Sequence, residues 1–503
     1  MSKIVLLAAS CLLLQTQTFG GPASPRSTSA VTFASPGYPQ QNGYNIRLRL
    51  KPYTSGKVYL GYYYGKIKAL ADSAQLNSTG DGLFRGDNKL PGGVYFIVSP
   101  NRAILFELLI DSQQHFSVAA DTTNLPGSIV FTGSPDNTVF QNYTRYAAGK
   151  GREITADQAA MAAARKSGDS ATVRSDREKI RQLDAELVKY REDLSRKYPT
   201  TLLATLFQAL KEPEIPPASK QPGGKYDSAY AFHYFKDHYW DGLSFSDERL
   251  ARTPVFEPRL DKYFRELVSP DPDSIEKEVD HMLLYSRVSK PMFQYLMVYF
   301  VQKYVNPEYM GQDAVFVHLF DKYINAGETG FFTDKYRKYL NDRAYSIMAN
   351  LIGQPAANME MVDTTGALRP LYGVKADYTI VCFWDPTCSH CKEVVPKLDS
   401  MYKAKWEKEG VRIYGVMVDG GRDAWIQFIK DHNLSGWTHV YETKEHAEAM
   451  EKAGQPGYRQ LYDVYQTPTL YLLDKDKRII AKKLSYEQLD QVINLKLQHA
   501  KSK

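Results

Sequence analysis

Two cysteines separated by two residues, Cys388 and Cys391, form the pair in this sequence that could carry out chemistry. On the first turn of a helix, two thiols at this spacing can close a small disulfide ring. The unpaired N–H groups at a helix start favour the thiolate over the thiol, and only the thiolate is nucleophilic. We therefore expect Cys388 to attack disulfides and Cys391, one turn further along, to resolve the mixed disulfide that forms.

His390 lies between the two cysteines and is expected to support the same chemistry. A protonated or hydrogen-bond-donating imidazole would favour the Cys388 thiolate, and with it the reduced form of the pair. A contribution of ~1.4 kcal/mol would raise the reduction potential by about 30 mV, because two electrons are transferred. The alternative is an exposed histidine that takes no part.

The pair sits where an apolar strand, residues 378–384, gives way to a helix over 391–408. Strands and helices alternate from there onwards, which predicts a central sheet with helices on both faces. The later strands are predicted at 411–418, 469–473 and 478–481, and the later helices at 422–432 and 486–499.

Residues 351–503 resemble the thioredoxin superfamily, and within it the TlpA-like thiol–disulfide reductases of the cell envelope. The resemblance is carried by the Ile-Gly-Gln-Pro-Ala segment at 352–356, Asp363 with Gly366, the Phe-Trp lead-in ending at Trp384, and the Gln-Thr-Pro-Thr segment at 466–469. It implies that Pro468 follows a cis peptide bond and packs against the cysteines, and that Thr467 offers backbone groups to a substrate strand.

The sequence departs from the family pattern at two positions. Cys382 stands where thioredoxins often carry a buried acid, and Val394 stands where TlpA-like reductases often carry a glutamate. The base that deprotonates Cys391 is therefore open, with Asp385, Glu393 and solvent as candidates. Cys382, on an inward-facing strand, is interpreted as a small buried hydrophobe rather than a redox group.

The upstream sequence predicts a multidomain α+β protein: an antiparallel β-domain over 35–136, a helical domain over 137–350, and the thioredoxin-like α/β domain over 351–503. Apolar residues alternate over 44–50, the period of a half-buried strand, and further strands are predicted at 58–63, 94–98, 104–110 and 129–131. The upstream modules resemble those found ahead of such thioredoxin domains, through residues 132–140, 246–254 and 310–316. The resemblance gives them no function.

Helical spacing of apolar residues replaces the strand pattern after residue 137. The apolar positions between Val173 and Leu194 fit either a helix lying on its own domain, the favoured interpretation, or a coiled-coil seam. The stripe from Phe293 to Tyr304 is interpreted as a core helix.

The first twenty residues have the layout of an export signal. Lys3 precedes an apolar run from Ile4 to Leu14, which is too short to span a membrane, and cleavage is expected near Gly20. A lipid anchor at Cys11 is the alternative. After cleavage three cysteines remain, so the protein is not a disulfide-stapled scaffold. We expect an exported protein of the periplasm or cell envelope.

Composition narrows the function further. The net charge is +6 over 503 residues, and the basic residues are interspersed with acidic ones, so nucleic acid is not an expected partner.

His233 and His238, with Asp237 and Asp241, have poor spacing for a metal site, and no cofactor or metal is expected.

The function predicted from the sequence is an envelope thiol–disulfide oxidoreductase, acting as a reductase. Its expected partners are protein disulfide or thiol substrates and an envelope electron donor, while membrane association through a lipid anchor and a homodimer are left open. The alternatives are a binding or scaffold protein whose cysteine pair is a regulatory clip, and metal carriage by the pair.

Overall fold

A computed structural model of the protein describes residues 43–501. The expected export signal and Cys11 lie outside the described residues. The chain divides into two compact units. One comprises the described residues up to Val268 together with Leu284–Tyr295, and the other comprises Ser269–Leu283 together with the chain from Leu296 onwards. The last helices of the helical region therefore belong to the same unit as the C-terminal α/β region.

Strands dominate the described chain up to residue 132. They are β1 (Tyr44–Lys51), β2 (Lys57–Tyr64), β3 (Ile67–Gln75), β4 (Asp81–Gly86), β5 (Gly93–Val98), β6 (Ile104–Ile110), β7 (His115–Asp121) and β8 (Val130–Thr132). Two four-stranded sheets result, with orders β4-β1-β7-β8 and β3-β2-β5-β6. Alternate residues of β1, including Ile46, Leu48 and Leu50, are buried in one shared core, as their two-residue period predicts.

One pairing corrects the expectation of a purely antiparallel β-domain. Strand β1 runs parallel to β7, with Asn45 opposite His115, although its other neighbour β4 is antiparallel. The alternation of apolar residues specifies which face of a strand is buried, but it carries no information on the direction of the neighbouring strand.

The helical region begins directly after β8. Its helices are α1 (Pro135–Ser167), α2 (Ser170–Lys197), α3 (Leu202–Leu210), α4 (Ser228–Asp237), α5 (Phe256–Glu266), α6 (Pro272–Ser286), α7 (Lys290–Val305), α8 (Asp313–Leu319) and α9 (Asp334–Met348). Ser134 caps α1 by accepting from the backbone N–H of Asn137. The buried Asn137 side chain bonds both the N–H and the C=O of Leu109 at 2.7 and 2.8 Å, which fixes the start of the helix to β6.

The two long helices α1 and α2 pack on each other. The rings of Tyr146 and Tyr190 stack at 4.5 Å, and Leu183 and Leu187 of α2 are buried. Helix α2 therefore packs against a helix of its own unit. In α7 the apolar stripe ending at Tyr304 is also buried, as expected for a core helix.

The C-terminal region contains a seven-stranded sheet of order β10-β9-β13-β12-β11-β14-β15. Its strands are β9 (Glu360–Asp363), β10 (Leu368–Pro370), β11 (Tyr378–Trp384), β12 (Val411–Met417), β13 (Thr438–Tyr441), β14 (Thr469–Leu473) and β15 (Ile479–Lys482). Its helices are α10 (Ser389–Met401), α11 (Arg422–Asp431), α12 (Lys444–Lys452), α13 (Tyr458–Leu461) and α14 (Tyr486–Lys501).

Strand β11 lies inside this sheet, parallel to β12 and antiparallel to β14. Its residues alternate between two cores: Cys382 and Trp384 belong to one, and Val381 and Phe383 to the other. Because both faces are covered, nearly every residue of β11 is buried. The strand thus gives a rigid base to the segment that follows it.

Candidate functional site

The cysteine pair lies at the start of α10, four residues after the end of β11. Cys388 occupies the position just before the first helical residue and is half-buried, whereas Cys391 lies in the first turn with none of its surface exposed. Both are free thiols. The sulfur of Cys388 is therefore accessible from outside the chain, and that of Cys391 is not.

The helix start favours the ionised form of Cys388. The backbone N–H of Cys391 points at the Cys388 sulfur and holds the pKa of this thiol below its ordinary value, and the backbone N–H of His390 adds a smaller effect. These are the unpaired donors of a helix N-terminus, as the sequence predicted. The contribution attributed to His390 comes from its backbone, while its side chain is exposed.

Cys391 has the opposite environment. Burial raises the pKa of its thiol to about 11, and a hydrogen bond of 3.4 Å from the backbone N–H of Asp385 opposes that rise only partly. At neutral pH the sulfur of Cys388 is therefore the better nucleophile, and the sulfur of Cys391 remains protonated.

The loop before β14 closes the site from the other side. The Thr467–Pro468 peptide bond is cis, as the resemblance implies. The Cys388 thiol donates to the carbonyl oxygen of Thr467 at 3.6 Å. The loop therefore places a backbone carbonyl directly beside the Cys388 sulfur.

Trp384 is a core residue that packs next to the cysteine pair and does not line the site. Its indole is fully buried, its ring lies 5.1 Å from that of Phe428, and it shares a core with Cys391. The side chain thus acts by packing under the start of α10.

Of the candidate bases, neither carboxylate is bonded to Cys391. Glu393 pairs with Lys397 at 2.7 Å on the exposed face of α10, and this lysine lowers its pKa. The Asp385 carboxylate accepts from the N–H and hydroxyl of Thr387, and only the Asp385 backbone reaches the Cys391 sulfur. Neither carboxylate is therefore placed to take a proton from Cys391 directly.

Cys382 is fully buried in the same core as Cys391. Burial raises the pKa of its thiol well above the usual range, with Cys391 contributing in the same direction. A neutral thiol therefore occupies the position at which many thioredoxins carry an acid, which agrees with its interpretation as a buried hydrophobe.

Sequence reasoning missed a charged cluster at the head of the Thr467–Pro468 loop. The buried Asp463 accepts hydrogen bonds from Arg343 of α9 and from Lys483, the residue after β15. Burial alone would raise the pKa of Asp463, but these two cations hold it below its usual value. Because 120 residues separate Arg343 from Asp463, no local pattern announces the pair.

The described residues contain neither a candidate metal site nor a candidate membrane span. Within residues 43–501, no three or more His, Cys, Asp or Glu side chains are grouped so that they could hold a metal ion. None of the helices in this described range combines the length and apolar character that a membrane crossing requires.

Comparison with known proteins agrees with this geometry. Residues 376–479 match the family model described as "Thioredoxin-like", and residues 174–347 match a domain of unknown function, DUF5106. The thiol-disulfide oxidoreductase ResA of Bacillus cereus is 24% identical over 163 residues, which cover 32% of this chain and 80% of the relative.

Solved structures similar to the chain include two bacterial proteins. A domain of a possible thiol-disulfide isomerase from Cytophaga hutchinsonii is 38% identical, covering 30% of this chain and 97% of that one, with a TM-score of 0.27. A thioredoxin-like protein from Bacteroides caccae is 18% identical, covering 57% and 98%, with a TM-score of 0.42.

The resemblance and the fold class predicted from the sequence are thus confirmed: strands come first, a helical region follows, and an α/β region carries the cysteines. Residues 376–479 of this chain are a thioredoxin-like domain, similar in sequence to a thiol–disulfide oxidoreductase of the TlpA-like group.

Proposed function

We propose that this protein reduces disulfide bonds in other proteins, with Cys388 as the nucleophile and Cys391 as the resolving thiol. One observation carries the proposal: the two sulfurs differ in both exposure and acidity. Cys388 is accessible and its pKa is lowered, whereas Cys391 is buried and its pKa is raised to about 11. A structural pair of thiols has no need of this asymmetry.

The reaction follows from that asymmetry. The Cys388 thiolate attacks one sulfur of the substrate disulfide, that bond breaks, and the departing thiolate takes a proton from water. A mixed disulfide now joins Cys388 to the substrate. Cys391 loses its proton to solvent and attacks the Cys388 sulfur, and the second substrate sulfur leaves as a thiolate that takes up a proton from solvent. The substrate gains two electrons and two protons, and the protein retains a Cys388–Cys391 disulfide.

A further reductant must then return two electrons to the pair. We propose that the protein is exported and works in the periplasm or cell envelope, because residues 1–20 have the layout of a cleavable signal. Its reductant would accordingly be an envelope thiol donor.

We also propose the division into a β-domain at 35–136, a helical domain at 137–350 and an α/β domain at 351–503.

Insulin reduction by dithiothreitol tests the proposal, with wild type compared with Cys388→Ser. We expect the variant to fall to the rate measured without protein, because a hydroxyl cannot replace the thiolate. Cys382→Ala serves as the matched control, since it removes the buried thiol that takes no part in the reaction. Equal turnover by wild type and Cys388→Ser would refute the function.

The reductase direction requires a second measurement. Equilibration of the cysteine pair with a glutathione series gives its reduction potential. A value near that of thioredoxin, about −270 mV, supports a reductant, whereas a value near −120 mV would assign an oxidant instead.

A further inference from the structure

The loop that faces Cys388 is anchored by side chains of the helical region within the same compact unit. Asp463 begins the segment leading to Thr467, is 3% exposed, and adopts a left-handed backbone conformation with φ 51°. Its two carboxylate oxygens accept from different cations, Oδ1 from Arg343 and Oδ2 from Lys483. Both oxygens are thereby satisfied away from water.

Arg343 is itself fixed at several points. Its Nη2 atom donates to the Val305 carbonyl at 3.3 Å and to the Asn306 side chain at 3.1 Å. The guanidinium carbon also lies 5.5 Å from the centre of the Tyr465 ring. A planar guanidinium can hold a carboxylate and an aromatic ring at once, which an ammonium group cannot do as well.

Strand β15, which pairs with the strand that follows the loop, is anchored in a similar way. Lys482 of β15 donates to the Asp313 carboxylate at 2.5 Å and to the Asn350 carbonyl and side-chain oxygen at 2.8 Å. The Asn350 amide in turn donates to the Leu461 carbonyl at 3.1 Å. Residues on both sides of the Thr467–Pro468 loop are therefore held by groups from residues 313–350.

Tyr465 is the side chain that this anchoring presents outwards. It is 73% exposed and lies two residues before Thr467, whose carbonyl is 3.6 Å from the Cys388 sulfur. Since an extended residue spans ~3.3 Å, the Tyr465 backbone lies within roughly 7 Å of Thr467. The exposed ring therefore belongs to the same loop that carries the carbonyl beside Cys388.

We propose that Tyr465 is a specificity-determining residue that contacts an apolar or aromatic side chain next to the substrate cysteine, and that Arg343 is a positioning residue acting through it. The inference deepens the proposed function and rests on it. Tyrosine and arginine are enriched among the residues that dominate binding at protein interfaces, and tyrosine supplies contact area at a small cost in side-chain entropy. It gives residues 313–350 a role: they help to set which disulfides the thioredoxin-like domain accepts.

The test compares two synthetic peptide disulfides that differ only in the residue beside cysteine, phenylalanine in one and glycine in the other. For wild type we expect a KM about tenfold lower for the phenylalanine peptide, the ratio that an aromatic contact supplies. Tyr465→Ala should bring the two KM values within twofold of each other, while Tyr465→Phe should keep the preference. The control is Tyr226→Ala, which removes a similarly exposed tyrosine, 64% exposed, from the other unit.

The role of Arg343 is tested by a double-variant cycle. Arg343→Met should reduce the KM ratio, and adding it to Tyr465→Ala should change the ratio no further, because its effect passes through the ring. If Arg343→Met does not fold, Arg343→Lys replaces it in the cycle, because it keeps a positive charge beside the buried Asp463. Equal preference in wild type and Tyr465→Ala, or additive effects in the cycle, would overturn the inference. If wild type reduces neither peptide in a Cys388-dependent way, the proposed function fails as well.

Discussion

The burial of Cys391 makes the second half of the proposed reaction dependent on pH. With a pKa of about 11 in place of the ordinary 9.0, the thiolate fraction at pH 7 is about 0.0001 instead of about 0.01. A more basic thiolate is intrinsically more nucleophilic. With a Brønsted slope of 0.4–0.5 its rate constant rises about six- to tenfold, which offsets part of the hundredfold loss in thiolate fraction. The net expectation is a resolution step roughly tenfold slower than an unperturbed thiol would give.

The assay follows single turnover with an aromatic disulfide reagent that releases coloured nitrothiobenzoate. Attack by Cys388 releases one equivalent, and attack by Cys391 on the mixed disulfide releases a second. We expect the second phase to accelerate about tenfold per pH unit between pH 6 and 9, because the pKa lies above this range. Cys391→Ser should show the first phase alone.

A plateau of the second phase between pH 7 and 8 would refute the reasoning, since it would require a base beside Cys391 or a much lower pKa. Cys382→Asp provides the converse experiment. It places a carboxylate in the core that Cys391 shares, so the second phase should become faster at pH 7 and less steep with pH, at a cost in stability from burying the new charge.

Three further predictions concern single side chains. His390→Ala should shift the reduction potential by less than about 30 mV in glutathione equilibration, because the imidazole is exposed and backbone donors stabilise the thiolate. Asp313→Ala should lower the free energy of unfolding by about 3–5 kcal/mol in urea titration, since it leaves the buried Lys482 ammonium without its carboxylate partner, and a further Lys482→Met change should recover most of the loss. Asn137→Ala should cost about 1–3 kcal/mol in the same measurement, because both backbone groups of Leu109 lose their partner.

The sequence was sufficient to predict strands in which a continuous apolar run is buried. Strands β11 and β14 have the predicted bounds, because long apolar side chains fill them. Strands β3 and β4 were missed: Ile67 and Leu70 of β3 are exposed, and Phe84 is the buried residue of β4. Helix α12 was missed for the same reason, as it has no buried residue to produce a period.

The site was predicted to the extent that its residues are close in sequence or belong to a known motif. The positions of Cys388, Cys391 and Thr467 follow from such motifs, and the structure brings them together. The anchoring of Asp463 by Arg343 depends on how a distant helix packs, and an arginine within a charged helix carries no signal of its partner. Only the folded chain reveals it.

The parallel pairing of β1 with β7 has a consequence for the order in which the protein is made. The first described strand waits for a neighbour 70 positions later, since Asn45 pairs with His115, and its other neighbour, β4, also follows it. During synthesis the amide and carbonyl groups along both edges of β1 therefore stay unpaired until much of the β-region has left the ribosome. A truncated chain ending before β7 would keep one of those edges open to other chains, which makes such fragments prone to self-association.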